Sequence, residues 1–361
     1  DWLTNKVDRC VTGRVAQQQC VGEIQLPLSN CGVIALDFTG AKGIATSIGH
    51  NPISALIDPA KGSVNSIAEA LTNIVWAPLE EGIKSISLSA NWMWPCNNTG
   101  EDARLYSAVE ACADFAIALG INIPTGKDSL SMKQKYPDGD VIAPGTVIIS
   151  AAGQCSNIKN VITPVAKVNG GSLYYLDFSQ DEFHLGGSSF AQNLNKIGTE
   201  TPTVLDPSYF KTAFNALQKF IKKGYIQAGH DVGSGGLITS LLEMCFPSSS
   251  VGMTLNFTNF KEQDLVKILF SEKSAVLLQS RENLSTHFEK QGIAVCKIGE
   301  ITNSSILKIN ELDLDITQMR TSWMATSKAL EMYQTTLSLA KKRSENTVNQ
   351  PLKFIFPEGF K

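Results

Sequence analysis

Apolar positions along the chain follow two periods. Short runs rich in β-branched residues at 32–38, 83–89 and 146–152 predict strands, each bounded by Gly, Pro or Asn. Ile67, Leu71, Ile74 and Val75 recur near the helical period and predict a helix over 65–76. A second helix is expected over 102–119, with Glu101 and Asp102 where a helix dipole favours anions and Gly120 as the stop signal. Residues 91–100 read as a loop carrying Trp92 and Trp94. The polar stretch 168–172 predicts a domain boundary. Beyond it, strands at 173–177, 253–257, 275–279 and 294–298 alternate with helices at 207–224, 236–246, 261–270 and 283–291. The helix at 207 opens on Asp206-Pro207, a capping residue followed by Pro at the first helical position. A long helix is expected over 321–343. The pattern predicts an α+β first domain and a layered α/β second one.

Length agrees with two domains, since 361 residues exceed the roughly 250–300 at which a single core stops growing. The expected division is 1–167, 168–343 and a tail or linker over 344–361. With 31 basic against 34 acidic residues, the chain has no electrostatic footprint for nucleic acid. Its longest apolar runs fall short of the ~20 residues a membrane span needs. Eight cysteines include no Cys-x-x-Cys pair and only four histidines could assist them, which argues against structural zinc. Thiols scattered in apolar runs fit a reducing cytoplasm better than a disulfide-stapled secreted protein. The chain opens Asp1-Trp2-Leu3-Thr4 and closes through Lys353-Phe354-Ile355-Phe356-Pro357, which reads as a piece of a longer polypeptide.

Three segments could carry chemistry. The run Gly126-Lys127-Asp128-Ser129-Leu130-Ser131 is no Walker loop, because Asp128 stands where a magnesium-binding hydroxyl belongs. It offers a cation, two hydroxyls and a carboxylate suited to phosphate and a divalent ion, or it is a polar turn. His230-Asp231-Val232-Gly233-Ser234-Gly235-Gly236 precedes an apolar helix, where backbone N–H groups can meet an anion. Equally, Asp231 could be a cap and His230 a satisfied buried imidazole. Glu69 and Asn73, four apart, share one helix face as metal ligands or as a surface hydrogen-bonded pair. No Gly-x-Ser-x-Gly elbow supports a serine hydrolase.

Taken in order, Val7-Asp8-Arg9-Cys10-Val11-Thr12-Gly13, Glu69-Ala70-Leu71-Thr72-Asn73, Leu88-Ser89-Ala90-Asn91-Trp92-Met93, Gly126–Met132 and His230-Asp231 with its glycines resemble one family. It is the large, single-chain phosphoribosylformylglycinamidine synthase family of purine biosynthesis. The resemblance covers essentially the whole chain and points to the second half of the synthetase region, an internally duplicated unit related to aminoimidazole ribonucleotide synthetase. It implies a sheet-forming first domain whose sheet pairs with that of the partner half, and a layered α/β second domain. The implied activity is a carbon–nitrogen ligase using glutamine as amide donor: ATP phosphorylates the formylglycinamide oxygen, and ammonia displaces phosphate to give the amidine.

The resemblance implies roles for named residues. Asp128 would be a metal ligand, with Lys127, Ser129 and Ser131 near phosphates and Asn91 positioning substrate or nucleotide. An auxiliary site for ADP and Mg²⁺ would map its metal ligands onto Asn30, Glu69, Asn73 and Asp231, with Ser29 and Gly233 near the nucleotide. Here the sequence departs, because the family usually has Asp at Asn30 and Ser-Asp-Gly-Gly where this chain reads Gly233-Ser234-Gly235-Gly236. Hard cations prefer charged oxygens, so weak or absent ADP retention is expected. The implied partners are formylglycinamide ribonucleotide, ATP, the remaining synthetase half and a glutaminase domain, with a homodimer of this piece as a substitute. Two other readings stand beside this one: a standalone ATP-dependent homodimer like aminoimidazole ribonucleotide synthetase, and a non-catalytic structural half-unit.

Overall fold

The computed structural model describes residues 13–348, so most of the Val7-Asp8-Arg9 motif lies outside the described residues. After β1 (Val15–Gln17), a ribbon of β2 (Cys20–Val21) and β3 (Leu26–Pro27) leads into β4 (Gly32–Ala35) and β5 (Gly43–His50). Strand β4 stops short of 38 because Asp37 turns the chain, its carboxylate accepting the Thr39 N–H at 2.8 Å. Helices α1 (Pro52–Ile57) and α2 (Pro59–Ile74) follow. The second starts six residues before position 65, since Asp58 caps it by accepting from the Lys61 N–H and Pro59 occupies its first turn. Next come β6 (Ile86–Met93), α3 (Glu101–Leu119), β7 (Asn122–Ser129), the hairpin of β8 (Lys133–Tyr136) and β9 (Gly139–Ile142), and β10 (Thr146–Cys155).

These strands form a six-stranded sheet in the order β1-β4-β5-β10-β6-β7. Strict alternation in β5 buries Gly43, Ala45, Ser47 and Gly49 and exposes Ile44, Thr46, Ile48 and His50. Helix α2 lies on the inner face. It approaches so closely that a Cβ on Gly49 would stand 2.2 Å from the Ser66 carbonyl oxygen. The outer face is uncovered, with Ile44 and Ile48 44% and 58% exposed.

The second half is built from β11 (Ser172–Asp177), α4 (Ser189–Asn193), α5 (Pro207–Lys222), β12 (Ile226–Asp231), α6 (Gly236–Cys245), β13 (Gly252–Leu255), α7 (Leu265–Phe270), β14 (Ala275–Ser280), α8 (Leu284–Glu289), β15 (Val295–Thr302), β16 (Ile306–Ile309) and β17 (Leu312–Asp315). Its sheet runs β12-β14-β11-β15-β13-β16-β17 and is antiparallel except where β13 meets β16. The helix expected from 261 begins at Leu265, where Asp264 caps it through the Val266 N–H at 2.9 Å.

The long helix expected over 321–343 is three helices, α9 (Ile316–Trp323), α10 (Ala325–Glu331) and α11 (Leu337–Asn346). Thr336 adopts extended backbone and accepts the Leu339 N–H, starting α11 afresh as a hydroxyl cap does. Because α11 runs to Asn346, a tail beginning at 344 would cut through a helix.

One apolar core crosses from the first half to the second, joining Ile67, Leu71 and Phe115 to Phe178, Phe210 and Phe214. Phe115 meets Phe210 edge-on at 5.9 Å. Buried Gln218 of α5 stitches the same seam, donating to the Val75 and Ala77 carbonyls at 2.6 and 3.0 Å and accepting the Leu79 N–H at 2.8 Å. All seven described cysteines are free thiols.

Candidate functional site

Asp231 ends β12 at the seam, where the start of the second sheet faces α2. With Asn30, Glu69, Asn73, His230, Gly233, Ser234 and Glu243 it lines a cavity of about 290 Å³. Residues 200 positions apart in sequence therefore share one cleft. Ser29 does not line it; its hydroxyl donates to the Cys31 carbonyl at 3.1 Å.

The oxygens of Asp231 are already engaged. Oδ2 accepts from Asn30 Nδ2 at 2.9 Å, and Oδ1 from the Trp76 indole N–H at 3.4 Å. His230 Nδ1 lies 3.4 Å from Oδ1, and its Nε2 lies 2.9 Å from Glu243 Oε2. Burial alone would lower the imidazole pKa, but the flanking Asp231 and Glu243 carboxylates outweigh it and hold it up to about 10. His230 is thus the cation of the cleft. Glu69 accepts the His50 N–H at 2.9 Å, yet burial, helped by the charges of Asp231 and Glu272, pushes its pKa up to about 8. It keeps its proton at neutral pH.

Asn73 donates to the Ile48 carbonyl at 2.8 Å, leaving its buried Oδ1 without a partner. One orphan amide oxygen and a carboxylate already engaged by donors leave few free charged oxygens for a divalent cation. Among the described residues no group of three or more His, Cys, Asp or Glu could hold a metal. The four-residue ligand set expected from sequence is therefore brought together, as a hydrogen-bonded cluster in which the Asp231 and Glu243 carboxylates flank one imidazolium.

The Gly126–Ser129 run is not a turn but the end of edge strand β7, paired in parallel with β6. A Cβ on Gly126 would stand 2.1 Å from the Ala90 carbonyl oxygen, so glycine permits this pairing. Asn91, expected in a loop, lies within β6 opposite Lys127, while Trp92 lies opposite Asp128. Since side chains alternate along a strand, Asn91, Lys127 and Ser129 belong to the open face and Asp128 to the other. Lys127 and Asp128 thus diverge. Ser131 is exposed and bridges to Pro95 just beyond. Trp94, by contrast, is core, 1% exposed.

Register lays two rows across the open face: His50, Ile148, Asn91 and Lys127, then Ile48, Ser150, Ser89 and Thr125. A groove of about 630 Å³ follows the second row, with Asn30 and Asn73 among its walls at one end and Thr125 at the other. Trp76, His50, Glu243 and Thr125 escaped the sequence reading. His50 contributes a backbone group, Trp76 and Thr125 are side chains typical of a core or strand, and Glu243 meets His230 only through the fold, so none carries a local signal.

Residues 1–154 match the family model described as an FGAR-AT PurM_N-like domain, and residues 170–310 match that of the AIR synthase related protein, C-terminal domain. The chain is 38% identical over 356 residues to the probable phosphoribosylformylglycinamidine synthase, chloroplastic/mitochondrial, of Arabidopsis thaliana, covering 95% of this chain and 25% of that one. It is 35% identical over 347 residues to the human phosphoribosylformylglycinamidine synthase, covering 92% of this chain and 26% of that one. It therefore spans about a quarter of the curated relatives it matches. Among solved structures, PurL of Thermotoga maritima complexed with FGAR superposes with a TM-score of 0.64 at 17% identity, covering 81% of this chain and 48% of that one. That likeness shows the fold.

Proposed function

This chain belongs to the phosphoribosylformylglycinamidine synthase family, and on that premise we propose that it contributes part of the active site of an ATP- and glutamine-dependent ligase. The reaction would convert formylglycinamide ribonucleotide to the amidine. The observation that carries the reading is similarity over 92–97% of this chain to synthases of which it covers only 25–28%. The other synthetase half and a glutaminase domain are then its partners, and its free thiols favour a reducing, cytoplasm-like compartment.

On the open face, Lys127 would neutralise transferring phosphate oxygens, with Ser129 and Ser131 donating hydrogen bonds and Asn91 orienting an amide. Asp128, on the other face of β7, is the carboxylate offered to a nucleotide-borne magnesium, which would supply charge neutralisation. Such a role requires an approach from the α3 side, where Trp92 and Val109 line a cavity of about 490 Å³. The partner half is expected on the uncovered sheet face.

The saturated Asp231 supports a second reading for the cleft alone, that of a structural remnant of a nucleotide site. Calorimetric titration with ADP and magnesium separates the two: no heat supports the remnant.

The test of the main reading is amidine formation from ATP, ammonia and formylglycinamide ribonucleotide. The isolated chain is expected to form none, and adding the missing synthetase half is expected to restore turnover. Amidine formed by this chain alone would overturn the assignment as a part.

A further inference from the structure

Helix α3 turns Cys112, Phe115 and Leu119 into the core that the two halves share, and so packs on the inner side of the six-stranded sheet. Its opposite face looks to solvent, away from the open sheet face where the other synthetase half is expected. On that face Tyr106, Val109, Ala113 and Ile117 follow one another at helical spacing. Tyr106 is 69%, Val109 41% and Ile117 75% exposed. Single exposed apolar residues are ordinary, whereas a stripe of about 16 Å, at roughly 1.5 Å per residue, is a contact surface.

Charge runs beside the stripe. Glu110 and Asp114, four apart, border it on one side, and both are exposed with no ion pair to any described residue. Asp102 adds a third carboxylate in the first turn. The one basic residue of α3, Arg104, is turned inward: it pairs with Glu101 at 3.3 Å and donates to the Leu56 carbonyl at 3.1 Å. Lys211 stands past the other end, where a Cβ on Gly120 would lie 3.3 Å from its ammonium. The face is thus apolar along its middle and negative along one edge.

We propose that this face seats a basic amphipathic helix carried by the part of the polypeptide that lies outside this chain. The apolar stripe takes the partner's apolar ridge, and Glu110 and Asp114 take its lysines or arginines. Charge decides the occupant. A second copy of α3 would set carboxylates against carboxylates, and any acidic helix would meet the same repulsion. The source is the rest of the polypeptide, since this chain covers only 25–26% of the relatives it matches. The inference rests on the family reading for that greater length alone.

The experiment is covalent footprinting of the full-length polypeptide beside this chain alone. A carbodiimide with a small amine labels Glu110 and Asp114, and hydroxyl radicals oxidise Tyr106 and Ile117. Labelling of these four residues should be about tenfold slower in the full-length polypeptide, as side chains move from open surface into a dry contact. With the amine left out, the carbodiimide should join Glu110 or Asp114 to a lysine outside this chain. The double variant Glu110→Lys, Asp114→Lys should return Tyr106 oxidation in the full-length polypeptide to the rate of this chain alone. Should that variant melt lower, the two unmodified samples decide without it. Equal labelling of the two samples overturns the proposal, as does protection that survives the charge reversal, or cross-links confined to a second copy. Amidine formation is a separate readout, so this inference and the proposed reaction fail separately.

Discussion

Glu69 shows what one residue's surroundings do to its chemistry. Spacing put it on the same helix face as Asn73, and the structure places both on the cleft. No spacing rule, however, could reveal that the His50 N–H and the Asp231 carboxylate lie beside it, because those neighbours arrive from other elements. The consequence is measurable. With its pKa raised from an ordinary 4.5 to about 8, Glu69 binds a proton in the folded chain through a pH range where the unfolded chain has lost it. Stability therefore falls as pH rises from about 4.5 to 8. His230, raised from 6.5 to about 10, contributes stability that is full below pH 6.5 and lost as pH climbs to 10. Both groups act in the same direction. The melting temperature of the unmodified chain should decline across pH 5–8, and Glu69→Gln should flatten that decline. A parallel decline in the variant would show that the carboxyl is not the cause.

At the scale of elements, what could be read from sequence depended on how one-sided the burial is. Helix α5 announced itself through Asp206-Pro207, and the structure adds the apolar face that it packs on the first half. Strand β7 gave no such signal: its residues are exposed on both faces, so the period-2 pattern vanishes and Gly126-Lys127-Asp128 imitates a turn. Strand β5 hides for a related reason, its inward positions being Gly, Ala and Ser. The break before α11 follows from Thr336, whose hydroxyl competes with the backbone. The polar stitch of α5 is a further case. Gln218→Leu would strand two carbonyls and one N–H in a dry seam, which should cost about 2–4 kcal/mol, each unsatisfied group carrying its own desolvation penalty. Chemical denaturation measures it, with exposed Lys219→Gln as a control expected within about 0.5 kcal/mol of the parent.

For the whole molecule, the uncovered face of the six-stranded sheet dominates. Isolated apolar side chains at a surface are ordinary, but Ile44, Ile48 and Ile148 lie on adjoining strands of a face with no covering layer. In the family reading the other synthetase half covers it; without that half, a second copy is the substitute. Ile48→Lys should therefore lower self-association of the isolated chain, measured by sedimentation at tens of micromolar. Equal sedimentation of variant and parent would assign any dimer to another surface. Length led to the expectation of two domains, yet nothing in composition could foresee that the sheets share one apolar interior.

That shared interior bears on how such chains are inherited. Two separately recognisable sequence families meet near residue 160, but Phe115 and Phe210 are each other's packing surface across the join. A break there would leave each fragment with raw aromatic surface and, in Gln218, a severed polar stitch. Natural rearrangement can duplicate, fuse or lose the pair, whereas shuffling either member alone ruins both. The heritable module is thus the couple.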